Sequence, residues 1–209
     1  MTTSGGVIQA NFDAITGLAI IIADGFIPTN KASGIDMNGS STPLSEPEYR
    51  QISDFLFDEA DLLSAMDYPA WQQLLTDDIR YLMPVTQFFE VGKARHIGVG
   101  TPYFDEDADS LAVRIKLLSE AHLTSAENPR SSISLMISNV RGNKIGIREY
   151  EVKSRFLLTR VRPAIPEPYN LAGRREDILR TTDSGLKLAR RTVFLTQSII
   201  KSPNLSFFL

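Results

Sequence analysis

The chain has no cysteine and only two histidines, His96 and His122, in its 209 residues. The first absence excludes disulfides, thiolate nucleophiles, zinc fingers and every cysteine-ligated iron–sulfur cluster. A Rieske centre is excluded with them, because it needs two cysteines beside its two imidazoles. The second absence leaves little for metal chemistry. A mononuclear non-haem iron site asks for two imidazoles and a carboxylate on one face of the metal, and His96 and His122 stand 26 residues apart without helical spacing. No serine occupies a G-x-S-x-G elbow, and no G-x-x-x-x-G-K-S/T phosphate loop occurs. "IGVGTPY" (residues 97–103) lacks the third glycine of a dinucleotide fingerprint.

Long apolar runs are also missing. "GLAIIIA", Gly17 to Ala23, lies between Asp13 and Asp24 and falls far short of the ~20 residues that span a bilayer. No Lys or Arg precedes Lys31, so the positive region of a secretory signal is absent. These features predict a soluble, cytoplasmic protein with no membrane partner.

What is present is an ordinary globular composition, 43% hydrophobic and 22% charged, with an uneven distribution of charge. Residues 1–140 hold 8 Lys/Arg against 19 Asp/Glu, whereas residues 141–209 hold 14 against 6. A basic half invites a nucleic-acid reading. The arginines, however, are interleaved with Glu176, Asp177 and Asp183, and no aromatic-plus-glycine motif of an RNA-binding sheet is present. An acidic helical layer complementing a basic sheet, within the chain or across a subunit contact, is the better reading, and no nucleic acid is expected as a partner.

Residues 1–44 read as an arm that ends in the irregular "NKASGIDMNGSSTP", and residues 45–209 as one domain. The domain opens on "SEPE": Ser45 is a candidate N-cap, Glu48 completes a capping box, and Pro47 fits the first turn. Ile52, Phe55, Leu56, Leu62, Leu63 and Met66 then recur at helical spacing. A shorter helix is predicted after Asp67, with Trp71, Leu74 and Leu75 inward, and a strand over 78–85 that ends at Pro84. Residues 105–119 read as a helix or a strand with an acidic lead-in. Beyond Pro129 alternation takes over, in 132–140, in 149–161 and in two strands joined at Asp183-Ser184-Gly185. Leu186 and Leu188 differ in parity from Val193 and Leu195, which predicts either a bulge at Arg190-Arg191 or a strand buried on both faces. Helices followed by a run of antiparallel strands make an α+β fold, helices laid on one face of a curved sheet.

Glu59 is the best single candidate for chemistry. It falls on the apolar stripe of the first helix, where a desolvated carboxylate gains acid–base character. The competing structural reading pairs it with an arginine of the sheet, and Arg80, Arg174, Arg175, Arg190 and Arg191 are all available. Charges that alternate on strands opposite acids on helices form a lattice more often than a reaction centre, and the fork of Arg suits bidentate carboxylate binding.

Five motifs in order, "FLFDEADLLSAMDYPAWQQLLTDDIRYLMPV" (55–85), "ISNV" (137–140), "GRREDILR" (173–180), "LARRTVFLTQS" (188–198) and "NLSFFL" (204–209), resemble the small (beta) subunit of bacterial aromatic-ring-hydroxylating dioxygenases over about residues 45–209. The resemblance implies a cystatin-like or nuclear-transport-factor-like cone, a curved and mostly antiparallel sheet wrapped round helices. It implies no catalytic, cofactor or metal residue on this chain. A large (alpha) subunit would carry the Rieske cluster and the catalytic Fe(II), in a hexamer of three large and three small subunits with the small ones associating as a trimer. Electrons from NAD(P)H would arrive through separate components. The motif residues Asn139, Arg174, Arg175, Glu176, Asp177, Arg190 and Arg191 then transfer as a structural lattice or interface, with Glu59 and Arg80. The chain departs from the family in its long arm, in lacking the Arg and His often found before "SNV", and in carrying Thr196 where Asp is common. The alternative is a free-standing enzyme on the same cone, in the manner of ketosteroid isomerases or dehydratases, with Glu59, Tyr81 or His122 around a pocket.

Overall fold

The capping box forms as the sequence requires. In the computed structural model, which describes residues 41–86, 101–120, 127–163, 165–202 and 204–209, helix α1 (Glu46–Ser64) starts at Ser45, whose N–H and hydroxyl both donate to Glu48 Oε2, at 3.0 and 2.7 Å. Glu48 also accepts from Lys144 and the Tyr150 hydroxyl, at 3.2 and 3.3 Å, so the cap ties the helix to the sheet. With these donors, the Ser45 hydroxyl foremost, the Glu48 pKa falls to about 2. Ile52, Phe55, Leu56, Ala60 and Leu63 bury one face of α1, and Asp54, Phe57, Asp58 and Asp61 face outward.

Asp67 caps α2 (Tyr68–Gln72) by accepting from the Ala70 N–H, and Trp71 is fully buried. Strand β2 (Leu75–Met83) begins three residues before the position that its sequence suggests, because Leu75 pairs in parallel with Leu188. The ambiguous stretch 105–119 divides: β3 (Phe104–Glu106) pairs antiparallel with β2, and Asp107 caps α3 (Ala108–Ser119). His96 and His122 lie outside the described residues, as do the "GLAIIIA" run and most of the 86–102 loop.

Strands β4 (Ser132–Lys144), β5 (Glu149–Arg162), β6 (Ile165–Thr182) and β7 (Gly185–Leu195) form successive antiparallel pairs. With β1 (Thr42–Pro43), at the end of the stretch read as an arm, the sheet order is β1-β4-β5-β6-β7-β2-β3. Among the described residues only the β2–β7 pair is parallel. Gly185, at φ +109°, closes the β6–β7 turn in a conformation that an L side chain rarely adopts.

Alternation assigns every side chain of the sheet to one of two faces. Residues 150, 152, 154, 156, 158 and 160 of β5, and 171, 173, 175, 177 and 179 of β6, point at the helices. Gly173 belongs to that inner face because a Cβ there would stand 2.7 Å from two ring carbons of Phe156 and 2.3 Å from the Phe194 carbonyl oxygen. Two bulges keep the pattern in step. One extra residue in β4 between Ser138 and Arg141 puts Asn139 at φ +52°, which Asn tolerates better than most residues. The other is Ala189, the residue skipped between the Ile178–Arg190 and Leu179–Leu188 pairs. The bulge expected at Arg190-Arg191 therefore lies one residue earlier. It returns Arg191, Val193 and Leu195 to the same buried face as Leu186 and Leu188, rather than to the opposite face.

Candidate functional site: a buried ion lattice under the C-terminal residues

Three elements deliver charge to one point inside the cone. Glu59 comes from α1, Arg175 and Asp177 from the inner face of β6, and Arg191 from β7 just beyond its bulge. All four are at most 1% exposed. Arg191 grips both carboxylates in a bidentate way: Nη1 and Nη2 donate to Glu59 Oε1 and Oε2 at 2.7 and 2.8 Å, and Nε and Nη2 donate to Asp177 Oδ1 and Oδ2 at 2.9 and 2.8 Å. Arg175 Nη1 reaches Glu59 Oε2 at 3.2 Å, and its Nε lies 3.4 Å from the Ser154 hydroxyl. Trp71 Nε1 donates to Glu59 Oε1 at 2.9 Å. Two guanidinium groups thus face two carboxylates, and both oxygens of Glu59 are engaged.

Burial works against ionisation of Glu59, but the charges of Arg191 and Arg175 and the hydrogen bonds from Arg191 and Trp71 outweigh it, and its pKa lies below the ordinary carboxylate value. Burial likewise opposes the charge on Arg191, and Asp177 and Glu59 override it so that Arg191 is held protonated more firmly than a free arginine. Arg175 is pushed the other way by burial and by the neighbouring Arg191. A carboxylate this firmly ionised, with both oxygens occupied, is poorly suited to carry protons. A general base needs a free oxygen within reach of substrate and a pKa near the working pH.

The space above the lattice is filled by the chain's own last residues. Phe207, Phe208 and Leu209 are at most 2% exposed. The Phe208 ring stacks on Trp71 at 4.5 Å between centroids and meets Tyr68 and Tyr81 edge-on at 5.2 and 6.2 Å. Tyr81, a pocket residue in the isomerase-like alternative, donates its hydroxyl to the Leu209 oxygen and accepts from the Leu209 N–H, both at 3.0 Å. Burial pushes the Tyr81 pKa up. Arg191 Nη1 also donates to the Leu209 oxygen, at 3.1 Å.

Sequence reasoning missed a second buried cluster. Arg160, 2% exposed, donates from Nη2 to Glu127, from Nε to Ser131 at 2.9 Å, and from Nη1 to Ser202 and the Asn204 carbonyl at 2.7 and 3.2 Å. Ser206 donates to the same Glu127 oxygen. The signal was the parity of β5: Arg160 follows Phe156 and Leu158 on the inner face. The same parity separates Arg174 from Arg175.

The remaining candidates do not join the lattice. Arg80 forms an exposed pair with Asp105 at 3.0 Å. Arg174 points outward, 3.3 Å from Glu176 and 3.8 Å above the Phe194 ring. Arg190 and Asn139 are exposed. Among the described residues no three His, Cys, Asp or Glu side chains gather as a metal site, and no helix is long and apolar enough to cross a membrane.

Comparisons with known proteins agree with this architecture. Residues 58–202 match the model of the ring hydroxylating beta subunit family. The chain is 35% identical to the biphenyl 2,3-dioxygenase subunit beta of Rhodococcus jostii (strain RHA1) over 175 residues, which cover 79% of this chain and 91% of the relative. Over the same lengths it is 33% identical to the chlorobenzene dioxygenase subunit beta of a Cupriavidus species (strain PS12). Among solved structures, naphthalene 1,2-dioxygenase with indole bound matches with a TM-score of 0.67 at 21% identity, covering 79% of this chain and 88% of that one. The beta subunit of the benzoate 1,2-dioxygenase of Burkholderia mallei matches with a TM-score of 0.55 at 19% identity, covering 69% and 88%. The fold is the cystatin-like α+β cone that the motifs implied, and the chain belongs to the beta-subunit family of aromatic-ring-hydroxylating dioxygenases.

Proposed function

We infer that this chain is the small, non-catalytic subunit of a multicomponent dioxygenase that adds both atoms of O₂ to an aromatic ring. In this reading a large subunit binds the substrate and carries the Rieske cluster and the mononuclear Fe(II). Electrons from NAD(P)H reach it through separate carriers, and three large and three small subunits form the cytoplasmic complex. The small subunit supplies a rigid body on which the assembly is held. The observation that carries the reading is the state of Glu59. The best-placed carboxylate of the cone is clamped by Arg175, Arg191 and Trp71 beneath the Phe208 ring. The isomerase-like alternative needs that carboxylate free and a space beside it, and it is not favoured.

The test is native mass spectrometry with iron analysis on the tagged chain recovered from its host. A large complex with a heavier, iron-bearing partner in equal number is the expected result. A metal-free assembly of this chain alone, turning over a small molecule, would overturn the reading.

A further inference from the structure

The ring of Phe208 lies in a slot whose walls belong to other elements of the cone. Trp71 on α2 is the floor, stacked on the ring at 4.5 Å between centroids, and Tyr68 and Tyr81 close two sides edge-on. The Arg114 guanidinium stands 5.8 Å from the ring centroid, within reach of a cation–π contact. One stack and two edge contacts are the arrangements that aromatic quadrupoles favour, so the slot is shaped for a flat ring rather than for apolar volume alone.

Beside the slot, two polar side chains read the backbone of one residue. The Tyr81 hydroxyl accepts from the Leu209 N–H and donates to the Leu209 oxygen, both at 3.0 Å, and Arg191 Nη1 donates to that same oxygen at 3.1 Å. Two donors, one of them cationic, therefore converge on a single buried oxygen, where hydrogen bonds are electrostatically stronger than in water.

Each receptor group that reads the segment is also fixed by contacts elsewhere. Trp71 Nε1 donates to Glu59, Arg191 is gripped by Glu59 and Asp177, and Tyr81 stands in register with Arg191 on one side and Glu106 on the other. The occupant has no such frame. Beyond Leu195 the described residues form neither helix nor strand, and side chains of the body hold the segment: Tyr68 donates to the Ser206 carbonyl at 3.3 Å and Arg160 to the Asn204 carbonyl at 3.2 Å. Aromatic walls with a few convergent polar groups, carried on regular elements, have the build of a small-molecule site.

We propose that the interior of the cone is a binding site for a molecule that joins an aromatic ring to a secondary amide and a carbonyl or carboxylate oxygen, and that residues 207–209 occupy it as a tethered ligand. Tethering gives the occupant a high effective concentration, so a free molecule of the same chemistry enters only when the segment is gone. The site binds and does no chemistry, since Glu59 beneath it stays clamped.

Peptide complementation tests the proposal. The chain is expressed as far as Ser206, and N-acetyl-Phe-Phe-Leu is titrated into it while the thermal melt and the emission of Trp71, the one tryptophan of the chain, are followed. A saturable rise in the melt with a shift in emission, or folding that depends on the peptide, is expected, with the full chain unmoved. N-acetyl-Phe-Ala-Leu, which lacks the slot's ring, should bind about ten-fold or more weakly. The analogue with an ester in place of the last amide, which cannot donate to Tyr81, should bind about five-fold or more weakly. A folded truncated chain with no saturable response, equal binding of the three peptides, or an equal response of the full chain overturns the proposal. If the truncated chain stays unfolded with and without peptide, Phe208→Ala in the full chain decides. Benzene should raise its melt saturably, and cyclohexane, with no π face to set against Trp71, should bind about three-fold or more weakly at equal thermodynamic activity. Equal binding of the two rings, or none, overturns it. Neither measurement involves iron or a second chain, so its outcome is separate from that of the subunit reading.

Discussion

Replacing Glu59 by glutamine keeps the shape of the side chain and removes its charge, so it tests the lattice without opening a cavity. The new amide turns an NH₂ group toward Arg175 or Arg191, where donor meets donor, and leaves two guanidinium groups with Asp177 as their one carboxylate. Removing one partner from a buried, hydrogen-bonded ion cluster costs about 3–5 kcal/mol, because the remaining charge stays buried. A domain of this size has about 5–15 kcal/mol in all, so the variant loses a large fraction of its stability. Urea unfolding of the full chain, followed by the emission of Trp71, measures the loss directly. The pH dependence supplies a second reading. The folded pKa of Glu59 lies below the ordinary value of 4.5, so its ionisation contributes stability that is complete above that value and disappears as the pH falls through the folded pKa. Glu59→Gln removes that portion of the acid limb. A loss under about 1 kcal/mol at neutral pH, in the range of an exposed ion pair, would refute the argument that Glu59 is a structural anion. An unchanged acid limb would do the same.

Phe208→Ala deletes a ring packed on Trp71, Tyr68 and Tyr81, with an expected cost of about 3–5 kcal/mol and a shift of Trp71 emission in the folded state. Arg160→Met strands the Glu127 carboxylate and releases Ser202 and Asn204. A loss of about 3–5 kcal/mol and faster amide exchange over 202–206 are expected, and equal protection in the variant would remove Arg160 as the anchor of that segment. Gly173→Ala forces a methyl group against Phe156 and the Phe194 carbonyl, and a melt lowered by the equivalent of about 1–3 kcal/mol or more is the expected result. Carboxyl titration followed by NMR should find Glu48 ionised down to about pH 2, and a Ser45→Ala substitution should raise that midpoint.

The parts of this fold that the sequence discloses are those written in local chemistry. The Ser45–Glu48 box and the Asp67 cap both appear where their residues stand, since a cap is decided within four residues. The early start of β2 depends on pairing with β7, more than a hundred residues away, and no local pattern signals it. The pairing of Glu59 with arginines was readable from its place on the apolar stripe. Which arginines it meets depends on strand parity, so that Arg175 and Arg191 point in while Arg174, Arg190 and Arg80 remain outside. Arg160 obeys the same parity and was available to it. Its partners, Glu127, Ser202, Asn204 and Ser206, are brought together only by the folded chain.

The single extra residue at Ala189 also bears on how this protein can change over time. Strand β7 delivers Arg191 to Glu59 and Asp177 only because the bulge resets its parity. Deleting Ala189 would leave Leu188, Arg190 and Arg191 in plain alternation and keep Arg191, Val193 and Leu195 on the buried face, whereas one further residue inserted there would turn those three out to solvent together and drive Thr192 and Phe194 against the helices. A point substitution in that stretch alters one side chain, whereas a one-residue insertion reverses every side chain that follows. The strand can therefore be shortened at its bulge more readily than it can be lengthened there.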